Sequence, residues 1–144
     1  RSIVDNPVAI NVMILDGLVL ARSGMHHSAN YRSVTLFGKA RKIEEEEKEI
    51  QLERFVDNLL PGRWNSLRKI NSQEVKATTV FTIPIDEASV KIRTGGPQDD
   101  DEDYQLPIWA GVIPIKQVTG SPIPDERNLP GVAIPNHVND YKFR

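Results

Sequence analysis

What narrows the fold most is a succession of segments in which apolar residues recur at every second position, against a single segment with helical spacing. Val75 to Ile85 places Val75, Ala77, Thr79, Phe81, Ile83 and Ile85 on one face, with Lys76, Thr78 and Thr82 on the other. That spacing predicts a half-buried strand. After the Asp86-Glu87 corner, Ala88, Val90 and Ile92 alternate with Ser89, Lys91 and Arg93, which predicts a second strand with an apolar and a cationic face. From Tyr31 to Lys42, Val34 and Leu36 alternate with Ser33, Thr35 and Phe37, and Gly38 marks a bulge or a close backbone approach. Val8 to Leu15 follows the turn signal Asp5-Asn6-Pro7 and ends at Asp16-Gly17, which predicts a hairpin with Leu18 to Ala21 as the returning strand. Ile108 to Ile115, containing Trp109 and stopped by Pro114, is the last strand.

Glu44 to Leu60 is the exception: Leu52, Phe55, Val56 and Leu59 fall at helical spacing, and the acidic run Glu44 to Glu47 suits the positive end of a helix dipole. Pro61-Gly62 stops it. Ser23 to Asn30, with Gly24 and His26-His27, reads as a loop. Gln98 to Asp103 holds five acids, which cannot bury themselves as a block and predict a mobile loop. From Thr119 onward prolines are frequent and periodicity is lost, so residues 119–144 read as an extension to a domain of residues 1–118. The sum is a mainly β chain with one or two helices, a small barrel or an α+β sheet, completed by a segment upstream or by a second subunit. The chain opens on Arg1, and Ile3 to Leu15 already has the character of a domain interior.

Composition excludes several classes of function. The 144 residues are long enough for one domain with a core, and 39% hydrophobic with 26% charged residues is ordinary globular usage. A net charge of -2 gives no general attraction to nucleic acid or to anionic membrane. Without cysteine there is no disulfide framework, thiolate metal site or thiol nucleophile. No apolar run approaches the ~20 residues of a membrane helix, and no signal peptide pattern is present, so a cytoplasmic location is expected.

Few residues carry recognisable chemistry. Adjacent His26 and His27 would point to opposite faces of an extended backbone and have no carboxylate pair at ligand spacing, so no metal site is expected. The nucleophile elbow, the Walker loop and the dinucleotide fingerprint are all missing. Tyr31-Arg32-Ser33 at a strand start, and Ser89, Lys91 and Arg93 on one strand face, put cations and hydroxyls on rigid elements able to hold an anion. The same cationic face also suits a solvated sheet surface. Trp109 fits either the core or the edge of a flat ring.

The order of segments is more specific than any single motif. Asn6-Pro7, Asp16 to Ser23, His26-His27-Ser28, Asn30 to Val34 and Phe37-Gly38-Lys39-Ala40 closely resemble the flavin-nucleotide-binding branch of the pyridoxamine 5'-phosphate oxidase-like split barrels, which includes nitroimidazole-reductase-like proteins. Pro61 to Trp64, Glu74 to Thr79, Ala88 to Arg93 and Trp109 to Pro114 agree with it, so the resemblance runs from about Asn6 to Ile115.

The resemblance implies an FMN-binding split β-barrel whose N-terminal strands are missing from this chain, a homodimer, and FMN held noncovalently in a groove between subunits. It places Tyr31, Arg32 and Ser33 along the flavin, with Lys91 and Arg93 toward an anionic group and Trp109 bordering the ring pocket. Ser33 stands where oxidase relatives carry glutamine, and their other phosphate-binding positions fall upstream of Arg1. No counterpart of their grip on pyridoxamine phosphate is visible in Glu44 to Leu60, so that substrate does not carry over. The implied activity is reduction of a small molecule by a flavin-dependent oxidoreductase. The alternatives are a flavin-free binding or scaffolding domain and a haem-handling barrel using His26 or His27.

Overall fold

A computed structural model describes Val4 and residues 6–143 of the chain. Arg1, Ile3 and Asp5, used above in reading the start of the chain, lie outside the described residues. The elements in chain order are β1 (Pro7–Leu20), β2 (Ser28–Lys39), β3 (Arg41–Lys42), α1 (Lys48–Leu59), α2 (Ser72–Ala77), β4 (Phe81–Thr82), β5 (Glu87–Arg93), β6 (Gly111–Pro114) and α3 (Asn136–Asn139). They group into two compact units, one of residues 1–40 and 83–116, the other of residues 41–82 and 117–144.

The first unit is an antiparallel sheet in the order β5-β2-β1-β6. The hairpin expected at Asp16-Gly17 does not form: β1 runs through it for 14 residues. Leu15 pairs with Tyr31 and Gly17 with Asn30, so Asp16 is an extra residue bulged out of the ladder. Gly17 serves a close approach rather than a turn, since a Cβ there would lie 2.9 Å from the Ile113 carbonyl oxygen of β6. Gly38 has the close approach expected of it, because a Cβ would meet the Pro84 carbonyl oxygen at 2.2 Å.

Register and alternation give this sheet two unlike faces. Val8, Ile10, Val12 and Ile14 of β1 share a side with Leu36, Val34 and Arg32 of β2 and with Ala88, Val90 and Ile92 of β5. Asn11, Met13 and Leu15 share the other with Thr35, Ser33 and Tyr31, and with Ser89, Lys91 and Arg93. Buried apolar side chains in this unit are Val19, Ala21 and Ala40, while Val12, Val90 and Ile92 remain well exposed on the aliphatic face. No helix among the described residues is long and apolar enough to cross a membrane.

In the second unit the helix expected over Glu44 to Leu60 is a 3-10 turn, Glu45–Glu47, followed by α1. The ammonium of Lys48 is buried and donates to Glu45 Oε2 at 2.8 Å and to the Val75 carbonyl at 3.1 Å, so each of its bonds replaces lost hydration. Past α1, Gly62 takes a φ of 80°, which a side chain would resist. The long strand expected over Val75 to Ile85 is replaced by α2, an irregular stretch and β4, which pairs with β3.

Local capping explains that departure. The Asn71 side chain accepts from the Glu74 N–H at 2.9 Å, and the Glu74 carboxylate accepts from the Asn71 N–H at 3.0 Å, a reciprocal box that fixes a helix start before alternation can act. Arg68 donates both guanidinium arms to the same carboxylate. These bonds, Arg68 foremost and then the Asn71 N–H, hold the Glu74 carboxyl at a pKa of about 2 against an ordinary 4.5. A depressed folded pKa stabilises the fold above the unfolded value, and that contribution disappears as pH falls from 4.5 toward about 2. Urea midpoints measured across that window should therefore fall more steeply for the wild type than for Glu74→Gln, and parallel slopes would contradict the assignment.

Candidate functional site

The sheet sorts the residues singled out from sequence onto different surfaces. Tyr31, Ser33 and Lys91 come together on the polar face, with Arg93 opposite Tyr31 in register and Lys91 opposite Ser33. The Lys91 ammonium lies 6.0 Å from the centre of the Tyr31 ring, within reach of its negative face. Arg93 is engaged by the fold: it donates to Asn30 Oδ1 at 3.0 Å and to the Ala29 carbonyl at 3.4 Å. Buried Asn30 in turn donates to the Gly95 carbonyl at 2.9 Å, which ties the end of β5 to β2.

Arg32 belongs to the aliphatic side, opposite Ile92 and Ile14. Its Nε and Nη2 donate to the two oxygens of Asp16 at 2.9 and 2.8 Å, a planar fork-to-fork pair. The bulge thus supplies Arg32 with a counter-ion that neutralises it. Trp109 is not gathered with this group: it is 68% exposed, precedes β6 on the edge opposite β5, and its ring lies against Gly111.

Residues outside the sequence-derived set complete the polar face. Asn11 Nδ2 donates to Ser33 Oγ at 3.1 Å, Thr35 Oγ1 at 2.8 Å and the Val34 carbonyl at 3.3 Å. Ser89, marked in the sequence beside Lys91 and Arg93, stands opposite Thr35 on β5. In sequence Asn11 only interrupts an apolar run, and nothing short of the β1-β2 register puts it against two hydroxyls.

The acidic block is not the loose loop expected of it. Asp101–Gln105 forms a 3-10 turn, and the fully buried Asp99 carboxylate accepts from the Arg22 N–H at 2.8 Å and from Arg22 Nη1 at 2.9 Å. The guanidinium of Arg22 also lies 4.8 Å from the Tyr104 ring centre. Burial pushes the Asp99 carboxyl toward a higher pKa, but the hydrogen bonds from Arg22 and from the Ser23 N–H outweigh it and leave the pKa below the usual carboxylate range.

His26 ends a 3-10 turn, Gly24–His26, beside this block. Its Nδ1 is 3.8 Å from Asp99, and one ligand atom each of His26, Asp100 and Asp103 lie within 4.8 Å of one another, a grouping the separation in sequence concealed. His27 Nδ1 lies 2.9 Å from the Ser23 carbonyl. A carbonyl only accepts, so Nδ1 carries the proton, and in the neutral ring Nε2 then keeps its lone pair. In the second unit a cleft of about 600 Å³ lined by Leu59, Pro61, His137, Asp140, Tyr141 and Phe143 includes none of the candidate cofactor-binding residues.

With this geometry in place, the family model described as pyridoxamine 5'-phosphate oxidase matches residues 1–92. The chain belongs to that family. Its mainly β fold of six strands with few helices is accordingly a split-barrel fold, as the order of segments implied. Among solved structures, the flavocytochrome Anf3 from Azotobacter vinelandii is 46% identical with a TM-score of 0.91, over 96% of this chain and 65% of that one. The FAD and heme binding protein from Mycobacterium smegmatis is 37% identical with a TM-score of 0.87, over 93% of this chain and 66% of that one. The chain thus spans just under two thirds of each. No curated protein sequence matches it.

Within this family member the Asp16–Arg32 pair has a direct check. The hydrogen bond from Arg32 outweighs the opposing effect of burial and, with a lesser contribution from the Arg32 charge, lowers the Asp16 pKa. A carbon-detected NMR titration should find the Asp16 carboxyl below the usual aspartate midpoint in the wild type and shifted up toward it in Arg32→Gln. An unchanged midpoint would show that the pair does not persist in solution.

Proposed function

We propose that the chain is the flavin-nucleotide-binding part of an electron-transfer protein of flavocytochrome type, acting as a reductase of a small molecule and assembled as a homodimer. The observation that carries this reading is its 46% identity, over 96% of its length, to a protein described as a flavocytochrome. The polar face of β1, β2 and β5 suits the cofactor. Ser33, Thr35 and Ser89 offer hydroxyls, Lys91 offers a positive charge, and Tyr31 offers a ring surface, all on rigid strands. These residues would hold the flavin, with Arg32 and Arg93 as framework rather than as free cations, since each is already engaged by protein acceptors. Trp109 would border the cofactor only from the other edge of the sheet.

When bound, the flavin supplies the capacity to accept and pass on electrons, and the chain supplies orientation and a polar setting. FMN is the nucleotide the sequence resemblance implies. The Mycobacterium relative is described as binding FAD, so both are to be tested. The exposed Val12, Val90 and Ile92 of the opposite face form an aliphatic surface that favours cover, supporting assembly with further barrel strands and a second copy.

A second reading adds haem, because the same relative is described as binding it. His27 fits an axial ligand better than His26. Its Nδ1–H is held by the Ser23 carbonyl, which fixes the ring and leaves Nε2 to coordinate. The expected outcome is a yellow protein of dimeric mass that releases FMN or FAD on denaturation and, once loaded with haem, has a Soret band that is diminished in His27→Ala. A colourless monomer that takes up neither flavin on titration would overturn the flavin reading. A Soret band unaltered in His27→Ala would overturn the ligand assignment.

A further inference from the structure

The polar face holds an arrangement that composition does not announce: two hydroxyls whose hydrogen-bonding direction is set by a third residue. Asn11 sits on β1 directly opposite Thr35 of β2, with Ser33 two residues along the same face. Its Nδ2 contacts Ser33 Oγ, Thr35 Oγ1 and the Val34 carbonyl. The carbonyl settles the orientation of the amide, since a carbonyl oxygen can face only the NH2 end. The two N–H groups are shared among three acceptors, and because Nδ2 can only donate, each hydroxyl oxygen faces Asn11 as an acceptor. Among the described residues neither hydroxyl donates to a protein acceptor, so both protons remain for a ligand. Lys91 and Ser89 stand beside them on β5, opposite Ser33 and Thr35 respectively.

We propose that Asn11 is a positioning residue that turns the Ser33 and Thr35 hydroxyls into a paired donor for one phosphate oxygen of a flavin nucleotide, with Lys91 providing the charge. The inference rests on the flavin reading above and deepens it. An amide at position 11 donates to both hydroxyls and leaves them donors. A carboxylate there would draw their protons inward and leave them acceptors, the wrong polarity for an oxyanion. Asn11 itself need not touch the ligand.

The test titrates FMN and riboflavin into the wild type, Asn11→Asp, Asn11→Leu and a Ser33→Ala/Thr35→Val background with and without Asn11→Asp, following flavin fluorescence. Circular dichroism checks that each variant is folded. Asn11→Asp should weaken FMN binding by about tenfold or more, the loss of a charge-assisted hydrogen bond, and Asn11→Leu should weaken it less. Riboflavin, which has no phosphate, should bind all variants alike. In the hydroxyl-free background Asn11→Asp should change little, because its target is gone. An equal loss for riboflavin would overturn the phosphate assignment, and an undiminished loss in the hydroxyl-free background would reduce the effect to bare charge repulsion and overturn the positioning role. FMN uptake unchanged in Asn11→Asp, or a wild type that takes up FAD but no FMN, would overturn the inference alone, whereas a wild type that takes up neither FMN nor FAD would overturn both it and the flavin reading.

Discussion

The antiparallel register of β1 on β2, with one residue bulged out at Asp16, is the constraint from which the rest of this sheet follows. Side chains alternate with a period of two, so a slip of a single position would exchange the faces of an entire strand. In the observed register Asn11 meets Thr35 and Met13 meets Ser33 on one side, while Val12 meets Val34 on the other. The bulge then lets the strand continue past Asp16, places that carboxylate against Arg32, and brings Gly17 under β6 where no side chain would fit. A tight turn at the same two residues would have lost all three.

The consequence is a sheet with a division of labour. One face is aliphatic apart from Arg32, and that cation is matched by Asp16, so little net charge faces the surface needing cover. The other face combines hydroxyls, an amide, a tyrosine and lysine, groups that supply both hydrogen-bond donors and a flat surface. The ends are pinned by buried polar pairs. Arg93 with Asn30 fixes the end of β5, and Arg22 with Asp99 draws an acidic turn onto the end of β1. Buried charge of this kind persists only where it is paired, as the Asp99 carboxylate is by two hydrogen bonds from Arg22.

Much of the fold was legible in the sequence because alternation and helical spacing report burial directly. Ala88 to Arg93 and the body of β2 formed as strands, α1 formed where Leu52, Val56 and Leu59 recur, and the order of segments pointed to the right family. The failures have a common cause in local bonds that pattern does not record. Asn71 and Glu74 cap a helix inside an alternating stretch, and Asp16-Gly17 has turn chemistry that was used for a bulge and a close approach. Asp99 lies in an acidic run and is nonetheless buried, because Arg22, 77 positions away in sequence, neutralises it. The candidate site was only half visible for the same reason. Tyr31, Ser33 and Lys91 stood out by type, whereas Asn11 and Thr35 gain meaning only once two strands are laid side by side.

On the proposed function the hydroxyl-bearing face, and not the aliphatic one, receives the flavin. An NMR titration of isotopically labelled protein with FMN or FAD reads both faces at once. The side-chain amide of Asn11 and the signals of Ser33 and Lys91 should shift progressively to saturation, while the methyl groups of Val12, Val90 and Ile92 change little. Shifts concentrated on those methyl groups, with Asn11 unmoved, would contradict it.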